Sequence, residues 1–211
     1  MIRKDIKDFL NTIPNDVTVV AATKYIDSFE MKDLFNSGIS DFGENRVDSF
    51  LEKYDQLNNL HIIWHFIGHL QTNKAKLVIN KINYLHSLDS LKLAEIINKN
   101  RETPLNCFIE VSVNKEENKN GVHIDNLINF VEAILKFKNI KLVGFMMMAI
   151  KDSNEFSLEK QFSKLKELKD QMENKFQIKI PYLSMGMSDD YNIAIKCGAT
   201  HIRLGRILYK Q

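Results

Sequence analysis

The sequence predicts an α/β fold, a single (β/α)8 barrel of TIM type that takes residues 1–211 as one domain. Two observations lead there. Short apolar runs with polar or glycine-bearing exits alternate with amphipathic helical stretches along the chain, the pattern of a parallel sheet wrapped by helices. Eight such strands can be placed, about one for every 26 residues, and eight βα units favour closure into a barrel. Periodicity does not reveal closure by itself, so an open doubly wound sheet is the alternative.

The first strand is the clearest. Val17-Thr18-Val19-Val20-Ala21-Ala22-Thr23 shows no polar alternation, as in a strand covered on both faces, and it stops at Lys24. Ahead of it, Ile2, Ile6, Phe9, Leu10 and Ile13 recur at helical spacing until Pro14-Asn15. Ser28 reads as the cap of a helix carrying Met31, Leu34 and Phe35, which Gly38 stops. Ile39 to Phe42 is the second strand, with Gly43-Glu44-Asn45-Arg46 as its exit and a helix through Val47, Phe50, Leu51 and Tyr54 after it. The third strand runs from His61 to Ile67, and a helix through Leu77 and Ile82 follows. Tyr84-Leu85-His86 is a brief fourth strand leading to Ser87-Leu88-Asp89, before a helix with Leu91, Leu93, Ile96 and Ile97.

Beyond Pro104, Cys107 to Ser112 is the fifth strand and Asn114 to Gly121 a polar loop. Leu127 to Phe137 is helical, Lys141 to Met146 is the sixth strand, and Phe156 to Phe176 is a long helix rich in Lys and Glu. Tyr182-Leu183-Ser184 is the seventh strand, with Met185-Gly186-Met187-Ser188 as its exit. A helix through Tyr191 and Ile195 then ends at Gly198. His201 to Leu204 is the eighth strand, closed by Gly205-Arg206.

Composition narrows the function classes. With 29 basic against 27 acidic side chains the formal charge is +2, which argues against a dedicated nucleic-acid surface. Cys107 and Cys197 lie far apart without a CxxC motif, so neither a disulfide framework nor a zinc site is indicated. Met1-Ile2-Arg3-Lys4-Asp5 carries charges where a secretion signal needs an apolar core, and no run reaches the roughly 18 apolar residues of a membrane span. A cytoplasmic, soluble protein is expected.

In a barrel the reacting groups gather where strands exit at the C-terminal mouth. Lys24 stands there, where partial desolvation would free its amine for Schiff-base chemistry; a plain solvent exit is the alternative reading. The loop from Ser184 to Asp190 runs into a helix, with Gly186 allowing close backbone approach and Ser188 presenting a hydroxyl and amide, the ingredients of a phosphate site. Gly205-Arg206 adds a further amide and a cation one strand later, and barrels often hold phosphate between their last two loops. A merely capped helix, with Ser188 or Asp189 as the cap, is the alternative. Arg203, on the last strand, needs an acceptor, either an acidic neighbour such as Glu110 or an aromatic nitrogen of a ligand. His65 and His69 are four apart but lie in and after a strand, so the helical geometry of a metal-binding pair does not apply and no metal is expected. The run Met146-Met147-Met148 reads as packing, and Asp189-Asp190 and Glu116-Glu117 as helix-start or loop charges. A lysine on the first strand facing a phosphate cradle on the last two loops points to pyridoxal phosphate.

Several motifs together resemble one family. They are Ala21-Ala22-Thr23-Lys24, Phe42-Gly43-Glu44-Asn45-Arg46-Val47, Trp64-His65-Phe66-Ile67-Gly68 with Leu70-Gln71-Thr72-Asn73-Lys74, and His86-Ser87-Leu88-Asp89. Lys119-Asn120-Gly121, Leu183-Ser184-Met185-Gly186-Met187-Ser188 with Asp190, and Ile202-Arg203-Leu204-Gly205 complete them. This set resembles the pyridoxal phosphate homeostasis proteins (the YggS/PROSC group) from about Val17 to Tyr209. The resemblance implies a barrel like the N-terminal domain of alanine racemase, without that enzyme's C-terminal β domain. It places a Schiff base (an internal aldimine) on Lys24 and the phosphate near Ser188, Gly205 and Arg206, in the loop that also holds Met185 and Gly186. Arg203 would approach the pyridine nitrogen, Asn45 and Ser184 the cofactor ring, and His65 and Met146 would line the pocket. The chain departs from the family pattern at Ser112, where asparagine is common, at Asp48, where glutamine is usual, and at Arg206, where threonine is frequent.

The same resemblance implies an intracellular carrier or regulator of pyridoxal 5′-phosphate (vitamin B6 homeostasis) with no catalytic residues, a monomer whose candidate recipients are pyridoxal-phosphate-dependent apoenzymes. Two physical points argue against efficient catalysis. A racemase needs a base on each face of its substrate, and Tyr209, in the last turn, is expected to have no partner domain to position it. An arginine opposite the ring nitrogen also weakens the ring as an electron sink. The alternatives are a weak amino-acid racemase using Lys24 as one base, and a cofactor-free Schiff-base aldolase.

Overall fold

The structure is a computed structural model that describes residues 2–113 and 120–209. Its strands, in chain order, are β1 (Thr18–Ala22), β2 (Asp41–Glu44), β3 (Ile63–Phe66), β4 (Tyr84–Leu88), β5 (Leu105–Ser112), β6 (Val122–His123), β7 (Ile140–Met146), β8 (Tyr182–Ser184) and β9 (His201–Leu204). Eight of them hydrogen-bond in parallel in the order β4-β3-β2-β1-β9-β8-β7-β5, and a β4–β5 pairing joins the two ends. That pairing closes the barrel and removes the open-sheet alternative. Strand β6 was not anticipated: it is a two-residue parallel addition to the end of β5. The stretch 114–119, with Glu116-Glu117 and Lys119, lies outside the described residues.

The helices fall where apolar periodicity placed them, with local differences. They are α1 (Ile6–Asn11), α2 (Ser28–Asn36), α3 (Val47–Gln56), α4 (Ala75–Val78), α5 (Leu91–Asn100), α6 (Ile124–Ile134), α7 (Glu155–Phe176) and α8 (Tyr191–Lys196). The cap of α2 is Asp27, not Ser28, because its carboxylate accepts from the Glu30 amide at 2.9 Å. Helix α4 is a single turn and does not reach Ile82. Instead the Asn83 side chain accepts from the Trp64 amide at 2.8 Å, tying that connection to β3. Among the described residues no helix is long and apolar enough to cross a membrane.

The barrel has two cores of different chemistry. Outside the strands, Phe42, Phe66, Leu85, Ile109, Phe145 and Ile202 cluster with Leu34, Phe50, Phe162 and Leu165 of the helices, all essentially inaccessible. Val20 and Ala21, adjacent on β1, are both fully buried, as a strand covered on two faces requires. Inside, Phe108, Val143 and Met146 form a separate cluster with Tyr84 and Tyr182. Three imidazoles join them: His65 stacks on Tyr84 at 4.7 Å, His86 on Phe108 at 4.3 Å, and His201 meets Tyr182 edge-on at 4.8 Å. Barrel interiors of this type are usually filled by branched aliphatic side chains. Here rings fill it, and Gly144 makes the room: a Cβ there would lie 2.4 Å from the Tyr182 carbonyl and 2.5 Å from the Phe108 ring.

Candidate functional site

At the C-terminal mouth, the chain leaves β1 through Thr23 into a turn that carries Lys24. Lys24 lines a cavity of about 320 Å3 together with Asn45, Ser188, Arg203, Gly205 and Arg206. The expected partial desolvation of Lys24 is not met. Because β1 ends two residues earlier, the side chain stands exposed, with Nζ 4.8 Å from the centre of the Tyr25 ring. A larger cavity of about 720 Å3 beside it shares Asn45 and is walled by Arg46, Asp48, Glu52, His69 and Lys74. We place the site in the smaller one, where the amine and a convergent set of donors meet.

The donors opposite Lys24 come from the exits of β8 and β9. Ser188 Oγ accepts from the Gly205 amide at 3.2 Å and from the Ile207 amide at 3.4 Å, so one hydroxyl and two N–H groups converge on a small volume. Gly186 lets the first loop turn: its φ is +93°, and a Cβ would sit 2.6 Å from that of Ala194. The cradle is not the helix start that the sequence suggested. Helix α8 begins only at Tyr191, with Asp190, not Ser188 or Asp189, at its N-cap position but without a side-chain cap bond, since its carboxylate accepts from the Met187 amide of the preceding loop at 2.5 Å. Arg206 pairs with Asp189, both exposed. Its availability to an anion depends on leaving that partner.

Below the cavity, Arg203 is buried and donates to the Ser184 carbonyl at 2.9 Å, the Ser184 hydroxyl at 2.6 Å and the Met147 carbonyl at 2.8 Å. Among the described residues these take three of its five N–H groups. Burial pulls its pKa down to about 10, against the attraction of Glu110 and Asp190, so it stays cationic at neutral pH. Glu110 is therefore an electrostatic neighbour of Arg203, whose hydrogen bonds go elsewhere. Burial and the repulsion of Asp89 push Glu110 up to about 7. Of the other residues that the sequence placed at the site, Ser184, His65 and Met146 sit in the bore beneath, and Met185 and Gly186 are the buried part of the loop itself. None of these five lines the cavity. Met148, by contrast, is exposed.

Two features escaped the sequence. Lys53 of α3 is buried and reaches over to the Glu44 carboxylate and the Thr23 carbonyl (2.6 Å), while Thr23 Oγ1 donates to the same carboxylate at 2.5 Å. This bracket clamps the exits of β1 and β2 immediately before Lys24. Lys53 falls on the apolar face of its helix, nine residues after Glu44, and that spacing is the signal that could have found it. Tyr209 is held by the barrel itself: its hydroxyl donates to the Ala22 carbonyl at 2.8 Å, and its backbone bridges to Ile2. His65 and His69 share no ligand position, since His69 turns to Asp89 at 3.1 Å. Among the described residues no group of three His, Cys, Asp or Glu could hold a metal ion.

Comparison with known proteins follows the same lines. Residues 3–211 match the family described as alanine racemase, N-terminal domain. The pyridoxal phosphate homeostasis protein of Aquifex aeolicus is 38% identical over 92% of this chain and 87% of its own length. The protein of that name from Schizosaccharomyces pombe is 32% identical over 99% of this chain and 89% of its own. The chain belongs to the pyridoxal phosphate homeostasis protein family. Among solved structures, PipY of Synechococcus elongatus without pyridoxal phosphate superposes with a TM-score of 0.94 at 26% identity, each chain covered completely. PipY with pyridoxal phosphate bound gives 0.89 at 25% identity, covering 97% of this chain and all of that one. An alanine racemase of Clostridium difficile shares the fold at 15% identity, and this chain spans 58% of it.

Proposed function

We propose that this family member holds pyridoxal 5′-phosphate in the mouth cavity through a Schiff base to Lys24, and stores, carries and regulates the cofactor without efficient catalysis. The observation that carries the reading is the meeting, around one cavity of about 320 Å3, of a primary amine, a cradle of anion donors and a buried guanidinium. When bound, pyridoxal phosphate supplies an aldehyde, an anionic phosphate and an electron-withdrawing ring. The residues present fit each part. Lys24 is the accessible amine. The Ser188 hydroxyl and the Gly205 and Ile207 amides are donors of the kind that phosphate oxygens take, with Arg206 as the adjacent cation. Among the described residues Asn45 Oδ1 is buried without a hydrogen-bond partner, an acceptor waiting for a donor. The names of the curated relatives, and the pyridoxal phosphate bound to PipY, support the same group.

The residues also argue for retention over turnover. Arg203 can only donate, so it keeps a ring nitrogen that faces it unprotonated and reduces the ring's pull on electrons. Tyr209 cannot serve as a second base while its hydroxyl is tied to Ala22, and burial raises its pKa besides. We assign the chain a monomeric role, with pyridoxal-phosphate-dependent apoenzymes as candidate recipients. One observation favours a second reading, a weak racemase. Glu110, with a pKa pushed up to about 7, sits on β5, which lies opposite β1 in the closed strand order.

Adding pyridoxal phosphate to the protein should produce a saturable visible absorption band, and pyridoxamine phosphate, which has no aldehyde, should produce none. Colourless protein at saturating cofactor would remove the proposal. With L-alanine or L-serine, chiral analysis should show turnover well below ~1 s⁻¹, the low end of ordinary enzymes. Faster turnover would move the assignment to the racemase.

A further inference from the structure

A row of hydrogen bonds climbs the barrel bore from its N-terminal end to Arg203. Asp41 Oδ1 lies 2.9 Å from His65 Nε2, and His65 Nδ1 lies 2.9 Å from His86 Nε2. His86 Nδ1 lies 2.8 Å from Ser184 Oγ, which accepts from Arg203 at 2.6 Å. Strand register sets the climb. His65 is level with Gly43, two residues above Asp41, and His86 stands two above Tyr84, which is level with His65. Arg203 stands two above His201, which is level with Ser184. The row passes along β2, β3 and β4 and then crosses the bore to β8 and β9.

Its two ends fix its direction. Arginine only donates and a carboxylate only accepts. The Asp41 carboxylate accepts from His65 Nε2–H, so a neutral His65 accepts at Nδ1 from His86 Nε2–H. A neutral His86 in turn accepts at Nδ1 from the Ser184 hydroxyl, whose oxygen receives from Arg203. Both imidazoles must be neutral for this, and burial holds both below their ordinary pKa despite the pull of Asp41 on His65. Desolvation raises Asp41, but the bonds from His65 and Ser40 outweigh it and keep the carboxyl below its usual value. His201, which packs against the same rings, turns its Nδ1 to Thr200 at 3.0 Å and stays outside the row.

We propose that His86, and behind it His65 and Asp41, are positioning residues that hold the Ser184 hydroxyl in one rotamer and so lock the Arg203 guanidinium beneath the mouth cavity. Without an acceptor at His86, the hydroxyl proton is free to swing towards the guanidinium and set donor against donor. The consequence for cofactor binding rests on the function proposed above; the positioning itself is measurable in the apoprotein.

The test uses ¹⁵N-labelled apoprotein near neutral pH. Long-range ¹H–¹⁵N spectra should show His65 and His86 neutral with hydrogen on Nε2, and the Arg203 Nε–H should relax as a rigid group. His86→Phe keeps a ring to stack on Phe108 but accepts no hydrogen bond. It should remain folded, loosen Arg203, and weaken pyridoxal phosphate by a few-fold to about tenfold, the effect of losing a hydrogen bond between neutral groups. His86→Gln can accept from Ser184 and donate to His65, and should restore most of both. Hydrogen on Nδ1 of either imidazole in the unaltered protein, or Arg203 equally rigid in His86→Phe, would overturn the inference. Correct tautomers and a rigid Arg203 in a protein that never binds pyridoxal phosphate would uphold it and sink the cofactor reading alone.

Discussion

Folding stability is expected to fall as pH drops below about 6.5, by about 1.4 kcal/mol per pH unit for each buried imidazole that stays neutral in the fold. The cause is the filling of the bore. His65, His86 and His201 are buried, and desolvation, its largest cause in each, depresses the pKa of all three, that of His201 to about 3. The unfolded chain protonates these imidazoles near 6.5, so below that value it takes up protons that the native imidazoles resist, His201 down to about 3. Stability from a base with a lowered folded pKa is complete above the unfolded value and is lost as pH falls, at roughly 1.4 kcal/mol per pH unit for each group. Glu110 acts in the opposite sense. Its folded pKa, about 7, lies above the ordinary 4.5, so its contribution is complete below 4.5 and disappears as pH rises through 7. Three imidazoles against one carboxyl leave a net acid sensitivity. Urea unfolding at several pH values checks it, with His201→Phe expected to flatten the slope by about one proton's worth, ~1.4 kcal/mol per pH unit. A stability unchanged from pH 7 to pH 5 would contradict the neutral-imidazole bore.

The second large effect concerns Lys24. Lys24→Ala and Lys24→Arg should both abolish the visible band and covalent retention of pyridoxal phosphate through desalting. The arginine variant separates the lost nucleophile from the lost charge. Weak, salt-sensitive association through Ser188, Gly205 and Arg206 should persist in both, because those donors belong to other loops. Neither variant should shift folding stability by more than about 0.5 kcal/mol, since Lys24 is exposed, with its amine over the equally exposed Tyr25 ring. A variant that unfolds instead would mean that Lys24 serves the fold.

The barrel itself was legible because its outer core is written in local pattern. Val17 to Thr23 reads as a two-sided strand, and the apolar faces of the helices recur at their own period. The mouth was legible for a related reason: strand exits in a parallel barrel point one way, so Lys24, Asn45, Ser188, Arg203, Gly205 and Arg206 could be placed together without coordinates. What stayed hidden depends on contacts between distant strands. His65 and Met146 were expected to line the pocket and lie buried in the bore instead, and the row of bonds from Asp41 to Ser184, which joins residues up to 98 positions apart, was not legible. The Lys53–Glu44 bracket was overlooked because a lone lysine in an amphipathic helix ordinarily faces solvent, although this one falls on the apolar face. Burying such a pair is tolerated only with both partners present, and losing one typically costs 3–5 kcal/mol, about the scale of a domain's whole reserve. The exposure of Lys24 was missed because a strand's end cannot be read to the residue from sequence; β1 ends two residues sooner than its apolar run.

Borohydride reduction of the protein with pyridoxal phosphate, followed by mass mapping of its peptides, tests the central claim most directly. The account predicts one reduced pyridoxyl phosphate per chain, on the peptide that carries Lys24, and its disappearance when inorganic phosphate competes for the donors opposite. Label spread over surface lysines, or concentrated on any lysine other than Lys24, would contradict it.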